Sequence, residues 1–149
     1  MTDCTTLQPG DAAAAIIVFD DGRYLLQQRD KKQGIFFPGH WGLFGGGVEM
    51  GEQPADALRR ELKEELGVVV AELRPMTRFE FDLTQMGLNR IYREFFEVRL
   101  PAAIVPSLRL GEGTAFKAFS REQVLTLPRV TPYDAFALWF HANDFRLHT

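Results

Sequence analysis

Three glutamates, Glu61, Glu64 and Glu65, fall within five residues of the stretch LRRELKEELGV (Leu58 to Val68), interleaved with Arg59, Arg60 and Lys63. Carboxylates so placed can pair with the neighbouring bases on a solvated helix, or gather on one side and hold a cation. Advancing about 100° per residue from Gln53 to Leu66 puts Leu58, Leu62, Leu66 and Ala55 in one sector about 80° wide. Arg59, Lys63, Asp56 and Arg60 fill a second sector of about 100°, and the three glutamates a third, with Glu65 about 20° from the leucine face. Glu61 and Glu65 are like charges at i,i+4, and Glu61 and Glu64 at i,i+3, each pair unfavourable by roughly a few tenths of a kcal/mol. Opposite charges are spaced to pair elsewhere, Asp56 with Arg60 and Arg60 with Glu64. The acids are therefore segregated against a local cost. A divalent cation would reverse the sign of that cost, and an oxygen-rich set suits Mg²⁺, Mn²⁺ or Ca²⁺. For the helix alone, a solvated ion-paired face stays open as the other reading.

The preceding residues bear on that choice. Gly45, Gly46 and Gly47 read as a glycine turn that lets a carbonyl or an anion approach closely, and Glu52 adds an acid just before the helix. Arg29, with Lys31 and Lys32 behind it, could meet phosphates or could be solvated. In IFFPGHW, the residues Phe36, Phe37, His40 and Trp41 offer an aromatic wall for a base, with core packing as the alternative for at least two of them. His141 and His148 have no spaced partner and are not read as ligands. Tyr133, Phe136, Trp139 and Phe140 recur at helical spacing and read as core or interface.

The elements that must position these groups follow from the pattern. Ala12–Asp20 reads as a buried strand, Asp21-Gly22 as a hairpin turn and Arg23–Arg29 as the partner strand. WGLFGGG is a short strand running into the glycine turn. Gln53–Leu66 is helical and stops at Gly67. TRFEFDL and NRIYREFFEVRL are strands joined through TQMGL, Pro101 and Pro106 mark a loop, and TAFKAFS is a further strand. Ser120 and Gln123 suggest a capping box opening a short helix, and Pro132 opens a terminal one. Hairpins together with a crossover helix predict an α/β fold with a mixed sheet. The 149 residues suit one domain, 1–149, with 1–11 a loosely ordered N-terminal segment.

Gly46, Glu52 and the run Arg60-Glu61-Leu62-Lys63-Glu64-Glu65-Leu66-Gly67-Val68 resemble the Nudix box in every defining position, from Gly46 to Val68. The order of strands and helices on both sides is similar to the Nudix α/β/α sandwich. Phe44 stands where many members carry proline, a variation that leaves the metal positions untouched. The resemblance implies a hydrolase that cleaves a nucleoside diphosphate linked to another group, using Mg²⁺, with Mn²⁺ as a substitute. It implies Glu61, Glu64 and Glu65 as metal ligands with the Gly46 carbonyl, and Glu61 or Glu64 as general base. Glu52 and Arg60 resemble the family's structural pair. Many members recruit a further acid from a distant loop as ligand or base, and LGEGTAFKAFS offers Glu112 for that role, with an exposed loop glutamate as the alternative.

Subgroup markers narrow the substrate. No NADH-type run follows the box, and the upstream coenzyme A marker is absent. Thr84, Gln85 and Met86 occupy the downstream positions where the ADP-ribose type has proline and the dinucleoside polyphosphate type tyrosine. Modified nucleoside triphosphates and nucleotide sugars remain, and a non-catalytic nucleotide sensor is the alternative. The net charge of -3 gives no affinity for a nucleic-acid polymer or an anionic membrane. No apolar run approaches the roughly 18 residues of a membrane span. Cys4 is the sole cysteine and has no intrachain partner, and no secretory signal is visible, so the cytoplasm is expected. The family resemblance leaves a homodimer open.

Overall fold

The computed structural model describes residues 8–111, 113 and 115–147. Among them, seven strands form one mixed sheet with helices on both faces: β1 (Ala12–Phe19), β2 (Tyr24–Gln28), β3 (Trp41–Gly42), β4 (Phe44–Gly47), β5 (Arg74–Asp82), β6 (Arg90–Leu100) and β7 (Ala115–Phe119). The sheet runs β3-β2-β1-β6-β5, with β4 on β1 and β7 on β2. β1 is its axis, parallel to β6 and antiparallel to β2 and β4. Its opening alanines, Ala12 to Ala15, are buried and small enough for layers to approach from both sides. Ala13, Ala15 and Ile17 face one core with Leu58, Leu62 and Leu66 of α1 (Pro54–Leu66). Ala14 and Ile16 face the other, with Val124 of α2 (Arg121–Thr126) and Ala137, Leu138 and Ala142 of α3 (Pro132–Leu147). This alternation is the period of a strand buried on both faces, and it yields the expected α/β/α sandwich.

Helix α1 starts at Pro54 and ends at Gly67, whose left-handed backbone (φ 70°) lets its N–H reach the Lys63 carbonyl at 3.0 Å. The Ser120–Gln123 capping box of α2 is formed. Three expectations need correction. Gly45–Gly47 do not form a turn. They lie in β4, in register with Ala14, Ala13 and Ala12, and the chain turns after them, with Gly51 at φ 81°. The segment around Pro101 and Pro106 is a 3₁₀ helix, Ala102–Ser107, rather than an irregular loop. Of the core-or-interface reading of the α3 aromatics, the core alternative fails for Phe136 and Trp139, which are about half exposed. The helix turns Asp134, Ala137, Leu138, His141 and Ala142 inward instead, because small side chains let it lie close on the sheet.

A buried polar chain ties α3 to that sheet. His141 Nδ1 meets the Tyr24 hydroxyl at 2.9 Å and His141 Nε2 meets Glu97 Oε2 at 2.6 Å. Burial pushes the Glu97 carboxyl up, but the hydrogen bonds from His141 and Arg99 outweigh it and hold the group below its ordinary value. A carboxyl depressed on folding adds stability that is present above its unfolded pKa and lost as pH falls through the folded one. Glu97→Gln is therefore expected to lower the thermal midpoint at neutral pH and to differ progressively less from wild type below about pH 4, the ordinary carboxylate range. Melting curves of both proteins across that interval check this, and a constant difference refutes it.

Candidate active site

The glutamate helix and the glycine strand meet at a cleft of about 350 Å³. Gly45, Gly46 and Gly47 form one wall, Glu61, Glu64 and Glu65 another, and Gln27, Arg29, Asp30 and Lys32 close it from the end of β2. Gly45 and Gly46 are there because side chains would fill the contact. A Cβ on Gly46 would lie 2.5 Å from Cδ of Glu61, and one on Gly45 would lie 2.2 Å from the Ala13 carbonyl oxygen. The glutamates differ in environment as their helical angles imply. Glu65, beside the leucine face, is buried, and its Oε2 accepts the Gly45 N–H at 3.1 Å. Glu61 is mostly covered, whereas Glu64 is exposed (57% of its side chain).

Arg60 braces this arrangement. Its Nε and Nη2 each donate to Glu52 at 3.0 Å in a bidentate pair. Nη2 also donates to the Gly47 carbonyl at 3.1 Å, and Nη1 to Glu61 Oε1 at 2.9 Å. One guanidinium thus joins the loop before α1, the glycine strand and a cleft carboxylate. Its hydrogen bonds to Glu52 hold the arginine above its ordinary pKa, and Glu52 is held below its own, chiefly by Arg60. With Arg60 taken, Asp56 pairs with Arg59 at 3.4 Å instead of the expected Arg60. Arg60 to Glu64, at 3.8 Å, is formed.

The other candidates separate. Arg29 lines the cleft, its Nε donating to the Phe36 carbonyl at 2.9 Å. Phe37, His40 and Trp41 stand apart from the cleft lining. Phe37 packs edge-on against His40 and Tyr133, and Trp41 against Phe119. Glu80, Asp82, Glu94 and Glu97 pair with arginines outside the cleft. Glu112 lies outside the described residues, as do Cys4 and His148. Its neighbours flank the site: Gly111 N–H donates to the Glu65 carbonyl at 2.7 Å, and Gly113 lines the cleft. Sequence reasoning missed Gln27, Asp30 and Gly113. The signal for Gln27 was a polar side chain closing an otherwise apolar strand.

The lining carries four carboxylates, Asp30, Glu61, Glu64 and Glu65, against two cations, Arg29 and Lys32. Left to itself it repels anions. Among the described residues, no three acid, histidine or cysteine side chains converge closely enough to hold a metal ion by themselves. The donor set is all oxygen and shaped against side-chain-free backbone, so it fits a hard divalent ion completed by substrate.

A family model described as NUDIX domain matches residues 9–140. The nucleoside triphosphatase NudI of Escherichia coli O139:H28 is 48% identical over 63 residues, which are 41% of this chain and 44% of that protein, so the match spans less than half of the relative's length. The crystal structure of a MutT protein from Methanosarcina mazei Go1 superposes with a TM-score of 0.74 at 21% identity, covering 93% of this chain and 96% of that one. That of the MutT NUDIX hydrolase from Burkholderia pseudomallei gives 0.67 at 25% identity, covering 89% and 98%. Among the described residues, no helix is long and apolar enough to cross a membrane.

Proposed function

The chain belongs to the NUDIX domain family, and on that premise we propose that it is a Mg²⁺-dependent hydrolase of a modified nucleoside triphosphate or a nucleotide sugar. The observation that carries this reading is the glutamate cleft, where Glu61, Glu64 and Glu65 face a wall of glycine backbone. Glu61, Glu64, Glu65 and the Gly46 carbonyl would hold the ion once its charge draws the carboxylates together, with Glu112 as a further oxygen and Mn²⁺ as a substitute. When bound, such an ion neutralises phosphate charge and acidifies water. Glu61 or Glu64 takes the proton of the attacking water, whose oxygen bonds to phosphorus as the bridging P–O bond breaks. Arg29 and Lys32 meet phosphate oxygens at the rim, and Arg60 with Glu52 keeps Glu61 in place.

The nucleoside half is assigned to a groove of about 650 Å³ lined by Phe79, Phe81, Tyr133 and Phe136, aromatic surface on which a base can stack. Burial holds the Tyr133 hydroxyl above its ordinary pKa, with Asp134 adding to the rise and Arg93 and Arg29 only partly opposing it. The NudI relative, a nucleoside triphosphatase by name, supports a nucleotide substrate. A homodimer is compatible with this reading, and we place the enzyme in the cytoplasm.

The test is a panel of nucleoside triphosphates, modified bases and nucleotide sugars given to the purified full chain with Mg²⁺, Mn²⁺ or a chelator. The expected result is phosphate or pyrophosphate release, with a nucleoside phosphate product, that stops with the chelator. Saturable nucleotide binding without product under either metal would replace the hydrolase with a sensor.

A further inference from the structure

At Leu43 the chain changes partners: β3 pairs with β2, and β4 with β1. Leu43 belongs to neither strand, and it is buried, so its backbone groups must be satisfied from elsewhere. Two buried side chains do this. Asp134 Oδ2 accepts the Leu43 N–H at 3.1 Å, and Gln27 Nε2 donates to the Leu43 carbonyl at 3.2 Å. The other Asp134 oxygen accepts from Arg93 Nη2 at 3.1 Å, with 3% of the Asp134 side chain exposed. Asp134 sits on α3, across the sheet from the glutamate helix. Two residues after Leu43, the Gly45 N–H holds Glu65, and the next residue packs against Glu61.

This corner is poorly built as a source of stability. Arg93 Nε and Thr131 Oγ1 are buried without a hydrogen-bond partner, and a desolvated ion pair is weak evidence of net stabilisation. We propose that Asp134, backed by Arg93, is a positioning residue: it fixes the switch at Leu43 and so places the glycine strand against Glu61 and Glu65. The inference rests on the metal-dependent reading of the cleft. Removing the carboxylate frees the Leu43 N–H, lets the strand shift and loosens the two glutamate contacts. Supporting groups of this kind change metal affinity by about 10–100-fold.

The experiment titrates the nucleotide-free full chain with Mn²⁺ alone, reading free ion by electron paramagnetic resonance. Asp134→Ala is expected to weaken Mn²⁺ binding about 10-fold or more. Asp134→Asn, which keeps an oxygen for Leu43, is expected to recover most of the affinity, a rescue that general destabilisation would not give. Where Asp134→Ala lacks a cooperative thermal transition, Asp134→Ser, also too short to reach Leu43, takes its place. A folded Ala or Ser variant that binds Mn²⁺ as wild type does overturns the positioning role and leaves the hydrolase reading intact. Wild type that binds no Mn²⁺ in this nucleotide-free titration also overturns the positioning role, while the hydrolase reading stands or falls with the substrate panel.

Discussion

Glu64→Gln is expected to lower kcat by about 10²–10⁴-fold, the range of general acid–base assistance, while leaving the thermal midpoint nearly unchanged. Glu64 gives the cleanest separation of chemistry from folding because its side chain is 57% exposed and its arginine contact is a loose 3.8 Å. Glutamine has similar helix propensity and the same length, so the expected stability change is within about 0.5 kcal/mol. What disappears is a negative oxygen at the cleft, one that would help hold the ion or take the proton of water. Glu65→Gln is also expected to abolish turnover, but its carboxylate is buried and accepts the Gly45 N–H at 3.1 Å, so that variant perturbs the glycine strand as well. Steady-state kinetics at saturating substrate and Mg²⁺, paired with melting curves, check the prediction. A Glu64→Gln enzyme turning over at the wild-type rate would remove the catalytic assignment.

The environments of the three glutamates were legible because helical angle alone ranks them: Glu65 beside the leucines is buried, and Glu61 and Glu64 lie progressively farther out. The α/β/α layering was legible for the same kind of reason. Periods of 2 and 3.6 mark which face of each element is apolar, as in Ala12–Phe19 and Leu58–Leu66. Long-range partners leave no such local mark. Nothing in RVTPYDAF announces that Asp134 will meet Leu43, 91 residues earlier. The triple glycine misled because glycine signals a turn by composition, whereas at Gly45 and Gly46 it answers a steric demand from β1 and Glu61 that exists only after folding. The core alternative for Phe136 and Trp139 failed likewise, since spacing gives a stripe but not the direction it faces. The Asp56 pairing failed because Glu52, outside the helix, competes for Arg60 with better geometry than any i,i+4 neighbour.

The glycine strand supplies the second large prediction, a contrast between adjacent residues. Gly46→Ala is expected to fold and to lose about 10²-fold in kcat/KM, the scale of an approximately 1 Å misplacement of a reacting group. The new Cβ would sit 2.5 Å from Cδ and 2.6 Å from Oε1 of Glu61, so the carboxylate must move. It is the far end of a flexible side chain and can do so without disturbing the backbone, but its 2.9 Å bond to Arg60 is strained or lost. Gly45→Ala meets main chain instead: the Ala13 carbonyl oxygen at 2.2 Å and Ala14 Cα at 2.8 Å, with φ at 150°. Neither neighbour can yield without parting β4 from the central strand, so destabilisation of about 3 kcal/mol or more is expected. Chemical denaturation and kinetics on the two variants check both halves. Full activity in Gly46→Ala would mean that the position of Glu61 against the glycine wall is irrelevant to turnover. Equal destabilisation of both variants would mean that the two glycines are there for the sheet alone. A stable but inactive Gly46→Ala beside an unstable Gly45→Ala would divide the triple glycine by task, one residue keeping the sheet closed and its neighbour keeping a carboxylate in place.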